Sequence, residues 1–211
     1  MSPSLLDLLA PTGCWSCRGP APGGHPLCGS CAAALPWLED GPDGERGQAL
    51  DRWWAPLAFA GPARDLVHAL KFSGAAGIAG HMGAQMALRR PAGLFAPGTV
   101  LVPIPAHPLR RRRRGFDHAE ALTVALAARL GLPVQRALRR EARLGARQRG
   151  LDRRARLEGS ALVLHAAGVA PARCVLIDDV RTTGATLEAC ARVLRAAGAG
   201  RVSAATYARV P

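Results

Sequence analysis

Two stretches of this chain carry side chains whose type and spacing can do chemistry. The first runs Cys174-Val175-Leu176-Ile177-Asp178-Asp179-Val180-Arg181-Thr182-Thr183-Gly184-Ala185-Thr186, an apolar run that delivers two adjacent carboxylates and then a threonine-glycine turn. Parallel sheets bind ligands at the carboxyl ends of their strands. A turn that opens a helix offers backbone N–H groups, hydroxyls and the positive end of a helix dipole, which together suit a phosphate, and Gly184 lets the backbone approach it closely. Adjacent carboxylates repel by about 1 to 4 kcal/mol at 4 Å, depending on the effective dielectric. Holding both ionised calls for hydroxyl donors or a divalent cation. The pattern fits a sugar phosphate, with Asp178 and Asp179 on ribose hydroxyls and Thr182, Thr183 and Thr186 around the phosphate. Simple helix capping needs one such residue, whereas five fall within nine positions here. The glycine signatures of ATP and dinucleotide sites are missing, since Gly74, Gly77 and Gly80 have the wrong spacing.

The second stretch is Cys14-x2-Cys17 followed by Cys28-x2-Cys31. Two such knuckles can present four thiolates, the tetrahedral shell of a structural Zn²⁺. Paired disulfides or free thiols are the alternatives, and a reducing compartment disfavours the former. A segment this short can hardly bury a core, so metal binding would supply most of its folding energy. Cys174 lies in an apolar strand and Cys190 on a helix, where packing is the expected role.

The elements that must position these groups follow from the hydrophobic pattern. Strands are expected at Trp53 to Phe59, Thr99 to Ile104, Val134 to Leu138, Ala161 to His165, Cys174 to Ile177 and Arg201 to Ala208. Helices are expected at Ala63 to Phe72, Ile78 to Arg89, Asp117 to Leu130 and Ala185 to Ala197. Residues 139–159 are charged and nonperiodic and read as a mobile loop. Such alternation makes an α/β protein with a mostly parallel sheet flanked by helices. The Gly- and acid-rich Glu39 to Gly47 reads as a linker, which divides the chain into residues 1–50, a ribbon with its linker, and residues 51–211.

At 211 residues and 49% hydrophobic, the chain is a folded one. It has 9 aromatic residues, 4 Phe, 4 Trp and 1 Tyr, against 42 Ala, so its core must be aliphatic and closely packed. Net charge is +13, and residues 101–160 hold 15 Arg and five acids, 15 − 5 = +10 of it. That field favours a polyanion such as single-stranded DNA, or is the solvated basic face that runs such as Arg110 to Arg113 often form. Lys71 is the one lysine beside 27 Arg, which hints at a need for a compact ammonium, against an ordinary surface role. No 18-residue apolar run and no secretory leader at Met1 to Ala10 are seen, so a cytoplasmic protein without membrane insertion is expected.

Val175 to Thr186 resembles the phosphoribosyl pyrophosphate (PRPP) motif of type I phosphoribosyltransferases. The surroundings resemble one branch, the ComF family associated with bacterial competence, in Ala69-Leu70-Lys71-Phe72-Ser73-Gly74, Val102-Pro103-Ile104-Pro105-Ala106-His107-Pro108, Arg114-Gly115-Phe116 and the four-cysteine ribbon. The resemblance covers nearly the whole chain. It implies the type I phosphoribosyltransferase fold behind a zinc ribbon, PRPP bound with Mg²⁺, and transfer of the phosphoribosyl group to an acceptor. Asp178, Asp179 and Arg114 would be catalytic. Lys71, Gly115, Phe116, Thr182, Thr183, Gly184, Ala185 and Thr186 would join the two aspartates in holding PRPP, and Cys14, Cys17, Cys28 and Cys31 would hold zinc. Arg114 to Phe116 would grip the pyrophosphate. The alternative is a noncatalytic adaptor that handles single-stranded DNA among competence proteins. Two positions depart from the family pattern. Asp117-His118 stands where Asn-Gln is usual, which puts an anion beside the expected pyrophosphate site, and Gly159 stands where an Asn follows a basic residue.

Overall fold

The computed structural model describes residues 13–38, 47–73, 76–106, 115–141 and 163–211. In chain order these form helix α1 (Gly29–Ala33), strands β1 (Arg52–Trp54) and β2 (Leu57–Ala58), helices α2 (Gly61–Ser73) and α3 (Ala76–Arg89), β3 (Val100–Pro103), α4 (His118–Leu130), β4 (Leu138–Arg140), β5 (Leu164–Ala166), β6 (Arg173–Arg181), α5 (Ala185–Ala196) and β7 (Arg201–Arg209). Five strands make one sheet in the order β3-β6-β7-β1, with β2 following β1 along the same edge of β7, and every pairing is parallel. The expected parallel sheet with flanking helices is therefore what the chain builds.

Strand β6 feeds two cores because its side chains alternate with a period of two. Val175 and Ile177 face α2, α3 and α4, where Leu66, Leu70, Met82, Met86, Leu122 and Leu126 are buried. Cys174 and Leu176 face α5, which contributes Leu187, Cys190, Ala191 and Leu194. Both Cys174 and Cys190 are buried, in keeping with a packing role. The scarcity of aromatics shows in how near the helices come. A Cβ on Gly83 of α3 would lie 2.9 Å from the Leu126 nitrogen of α4, so a glycine is needed at that crossing.

Element boundaries differ from the pattern reading where prolines or pairing partners intervene. The first expected strand is split at Ala55-Pro56, because Pro56 has no N–H to give a ladder. Residues 36–38 run beside β2 instead, with Leu38 N–H donating to the Pro56 carbonyl at 2.9 Å and Ala58 N–H to that of Pro36 at 3.0 Å. Val134 makes only an isolated bridge to Leu101. The strand lies farther on at β4, which pairs antiparallel with β5. Arg139 and Arg140 thus begin the expected mobile loop as strand, while residues 142–162 lie outside the described residues. Strand β6 extends past Ile177 because β7 runs on alongside it, with Asp178 opposite Thr206 and Arg181 opposite Arg209.

Cys14, Leu27 and Leu35 of the N-terminal segment join the core beneath α2 and α3. Ser16 Oγ donates to Asp65 Oδ2 of α2 at 2.7 Å, and the His25 ring stands edge-on to His81 of α3 with centroids 6.5 Å apart. Among the described residues no helix is long and apolar enough to cross a membrane.

Candidate functional site

The carboxyl end of β6 is where this topology concentrates polar groups. Asp179 is only 3% exposed. Its Oδ2 sits 3.1 Å from Lys71 Nζ, brought by the last turn of α2, and 3.4 Å from His118 Nε2, brought by the first turn of α4. Asp178 accepts a hydrogen bond from the Asp179 N–H at 2.9 Å. Burial, and after it the charge of Asp179, pushes the Asp178 carboxyl up to about 8. Two carboxylates in such surroundings favour a cation, and among the described residues Lys71 supplies one. One ligand atom from each of His118, Asp178 and Asp179 lies within 4.8 Å of the others, so the donor set fits a divalent cation.

Beyond β6 the chain turns through Thr182, Thr183 and Gly184 into α5. Thr182, Thr183, Ala185 and Thr186 are exposed, and Thr183 Oγ1 accepts from Ala185 N–H at 3.3 Å. Gly184 has φ 80°, a left-handed conformation that favours glycine. A Cβ there would also meet Arg181 Nε at 3.0 Å. Arg181 in turn lies over the Trp53 ring of β1 at 3.9 Å, so a cation–π contact braces the turn from below. The turn thus presents hydroxyls and the amino end of a twelve-residue helix at the same carboxyl end of the strands as the aspartates.

Of the predicted site residues, the structure brings Lys71, Asp178 and Asp179 together and puts Thr182 to Thr186 next in line. Gly115 takes a left-handed φ of 76° and, with Phe116, leads into α4. Arg114 lies outside the described residues, as does Gly159. Asp117 serves a different end from the one its charge suggests. Its Oδ1 accepts from Ala119 N–H at 3.1 Å and Glu120 N–H at 3.3 Å, capping α4, and its Oδ2 accepts from Ala106 N–H at 3.2 Å. The anion is spent on three backbone donors and clasps the two ends of the segment between Ala106 and Asp117.

His118 and Arg181 are the groups that the sequence reading did not assign to the site. For His118 the signal was its place directly after a helix-capping aspartate, which puts it on the first helical turn. A cavity of about 490 Å³ lined by residues 47–51, Arg192 and Arg195 lies at the opposite end of the strands, away from these groups. The titratable residues converge instead at the carboxyl end of β6.

The second cluster is the ribbon. The first knuckle turns through Arg18, whose φ is 65°, with Arg18 N–H on the Cys14 carbonyl and Cys14 N–H on that of Gly19. Cys28 precedes α1, and its carbonyl accepts from Ala32 N–H. One Sγ from each of Cys14, Cys17, Cys28 and Cys31 lies within 4.8 Å of the rest, and Cys17 Sγ is 3.6 Å from Cys28 Sγ. Thiolates on tetrahedral zinc stand about 3.8 Å apart. None of the four is joined in a disulfide. The Ser30 hydroxyl, 3.1 Å away, and then the backbone of Cys31 bring the Cys28 thiol down to about 6. The four cysteines could hold a zinc ion.

The chain is 32% identical over 198 residues to the DNA utilization protein YhgH of Salmonella typhi, a match that covers 86% of this chain and 78% of that one. It is 32% identical over 114 residues to Competence protein F of Haemophilus influenzae, over 52% of this chain and 50% of that one. No family model matches the chain. Among solved structures it is similar to the allosteric regulatory enzyme of purine biosynthesis at 19% identity and TM-score 0.44, over 65% of this chain and 29% of that one. With identity of this order sustained over more than three quarters of a relative's length, the chain belongs to the family of DNA utilization protein YhgH and Competence protein F, the ComF family.

Proposed function

We propose that this protein binds PRPP with a divalent cation at the carboxyl end of β6 and transfers its phosphoribosyl group to an acceptor, in the handling of DNA taken up by the cell. The observation that carries the reading is the adjacent pair Asp178 and Asp179, set beside Lys71 and followed at once by the threonine-glycine turn into α5. Asp178 and Asp179 hold the ribose hydroxyls. Thr182 to Thr186 hold the 5′-phosphate with the N–H groups of the helix start. Arg114, Gly115 and Phe116 grip the pyrophosphate, with Lys71 near enough to share its charge. Asp178 and Asp179 would hold a divalent cation beside the pyrophosphate, and that cation would supply charge neutralisation for the leaving group. In the reaction the bond from ribose C1′ to pyrophosphate oxygen breaks with its electron pair going to pyrophosphate. A bond from the acceptor to C1′ forms, and the acceptor's proton leaves to solvent. Residues 51–211 form the phosphoribosyltransferase-like unit, residues 1–50 form a zinc ribbon with its linker, and the protein works in the cytoplasm.

Calorimetry of PRPP against zinc-assayed protein, with and without Mg²⁺, tests the binding step. Mg²⁺-dependent heat that falls at least a hundredfold in affinity in Asp178→Asn plus Asp179→Asn supports it, and the absence of binding at millimolar PRPP overturns it. Pyrophosphate release with candidate bases or amines then tests the transfer.

The +10 charge of residues 101–160 and the names of the relatives favour a second reading, in which the same protein carries single-stranded DNA with little turnover. Affinity for a single strand should then fall with salt at a slope of about −0.7 per phosphate contact. A flat response removes the electrostatic track.

A further inference from the structure

The strand-end site contains a nitrogen donor that a sugar-phosphate pocket does not require. His118 leads α4 into the same space as the two aspartates, and its Nε2 is the imidazole atom turned toward Asp179. Asp179 is almost wholly buried, yet its Oδ2 accepts no well-formed hydrogen bond, and among the described residues it meets two cationic or cation-seeking neighbours, Lys71 and His118. Backbone hydrogen bonds fix the frame. Asp117 caps the helix that carries His118, and β6 is paired with β3 on one side and β7 on the other.

We infer that His118, Asp178 and Asp179 together bind a first-row transition-metal dication directly, in preference to Mg²⁺. The inference rests on the proposed site and adds to it the identity of the ion and a third ligand. Imidazole suits ions such as Mn²⁺, Fe²⁺ or Zn²⁺, whereas Mg²⁺ takes oxygen ligands and keeps its waters. Ligand atoms on bonds of about 2.2 Å stand about 3 to 4.4 Å apart across an octahedral ion. Side-chain rotation of a fraction of an ångström therefore closes a trio already within 4.8 Å. Lys71 Nζ, 3.1 Å from Asp179 Oδ2, occupies part of this space. Its side chain is 27% exposed, so its flexible stem can carry the ammonium outward when an ion arrives. Lysine and metal then compete for Asp179.

Mn²⁺ is the probe, because the ribbon's thiolates prefer zinc and can be filled with it beforehand. Zinc-loaded full-length protein is titrated with Mn²⁺ by electron paramagnetic resonance, and the bound ion is examined by electron spin echo for modulation from a directly ligated ¹⁴N. Wild type is expected to show it. His118→Gln should lose the modulation and weaken Mn²⁺ binding by about tenfold or more, while Lys71→Met should tighten Mn²⁺ binding. No ¹⁴N modulation in wild type, or modulation undiminished in His118→Gln, overturns the inference. PRPP binding in Mg²⁺ is measured on the same samples. If PRPP binds and the nitrogen signal is missing, only this inference falls. If the nitrogen signal is present and PRPP does not bind, the ion site stands and the proposed function falls.

Discussion

The ribbon and the strand end both gather negative charge, but they rest on opposite foundations. In the ribbon, four cysteine sulfurs come together from two tight turns, and among the described residues Cys14, Leu27 and Leu35 are the apolar side chains it buries. At the strand end, two carboxylates ride on a nine-residue strand whose faces are covered by helices on both sides. A cation in the ribbon would stand in for a core of the ribbon's own, since its few buried side chains belong to the core beneath α2 and α3. A cation at the strand end would meet a core that is complete without it. The same electrostatic need would thus be structural in one place and open to ligand exchange in the other.

Metal removal breaks this comparison most directly. Structural zinc sites contribute on the order of 10 kcal/mol or more to folding, so chelation should unfold residues 13–38 and leave the sheet standing. Hydrogen exchange distinguishes the two. The amides of Cys14 and Arg18 should lose protection, whereas those of Val175 to Ile177, between β3 and β7, should keep it. If β6 exchanges as freely as the ribbon after chelation, the two regions are one cooperative unit and the contrast fails.

Next in size is Gly184→Ala. A residue with a Cβ at φ 80° and 3.0 Å from Arg181 Nε carries about 1 to 3 kcal/mol of strain. Relief must come from moving the turn or lifting Arg181 from Trp53. Thermal unfolding should report the loss of stability, and indole fluorescence the loss of the stacking. Phosphate-bearing ligands should bind at least tenfold more weakly. Retained ligand affinity with the stability loss intact would make the turn a structural brace and not a phosphate cradle.

How much of this was legible beforehand divides along the same line. The cysteine quartet and the acid-threonine segment are contiguous in sequence, so spacing alone exposed them. Lys71 was legible for a compositional reason, as the one lysine in an arginine-rich chain. His118 and Arg181 were not assigned, since their meaning depends on tertiary neighbours, Asp179 on another element and Trp53 on another strand. Asp117 shows the converse. Its charge read as an intrusion on a pyrophosphate site, whereas the backbone N–H groups of Ala106, Ala119 and Glu120 account for the carboxylate locally. The misplaced strand at Val134 to Leu138 has a similar origin, because only Ala137 and Leu138 reach the core and the pairing partner lies at β5.

Asp117→Ala sharpens the comparison at a smaller scale. Removing a side chain that caps a helix costs about 1 kcal/mol, and here the clasp to Ala106 goes with it. Chemical denaturation should show a loss of that order, with Asp117→Asn losing less because one carbonyl oxygen remains to accept. An Asp117→Ala protein as stable as wild type would mean that α4 starts correctly without its cap, and His118 would need another explanation for its position.

The smallest expected effect lies where the ribbon meets α3, at His25 and His81. Burial, and after it the nearby His25, holds the His81 imidazole below its ordinary value. An unfolded histidine takes up a proton near pH 6.5, while the folded one resists. The folded state therefore binds fewer protons as pH falls below about 6.5, and stability declines in that direction until the folded imidazole titrates in turn. Above pH 6.5 both states leave it neutral and the slope disappears. Zinc-loaded protein followed from pH 7.5 to 5.5, with zinc content checked at each point, should lose ribbon protection progressively. His81→Gln should flatten that decline because the group that must stay neutral is gone. An unchanged slope in the variant would place the acid sensitivity in the thiolates themselves, making the ribbon respond to pH through its ligands and not through its seat on α3.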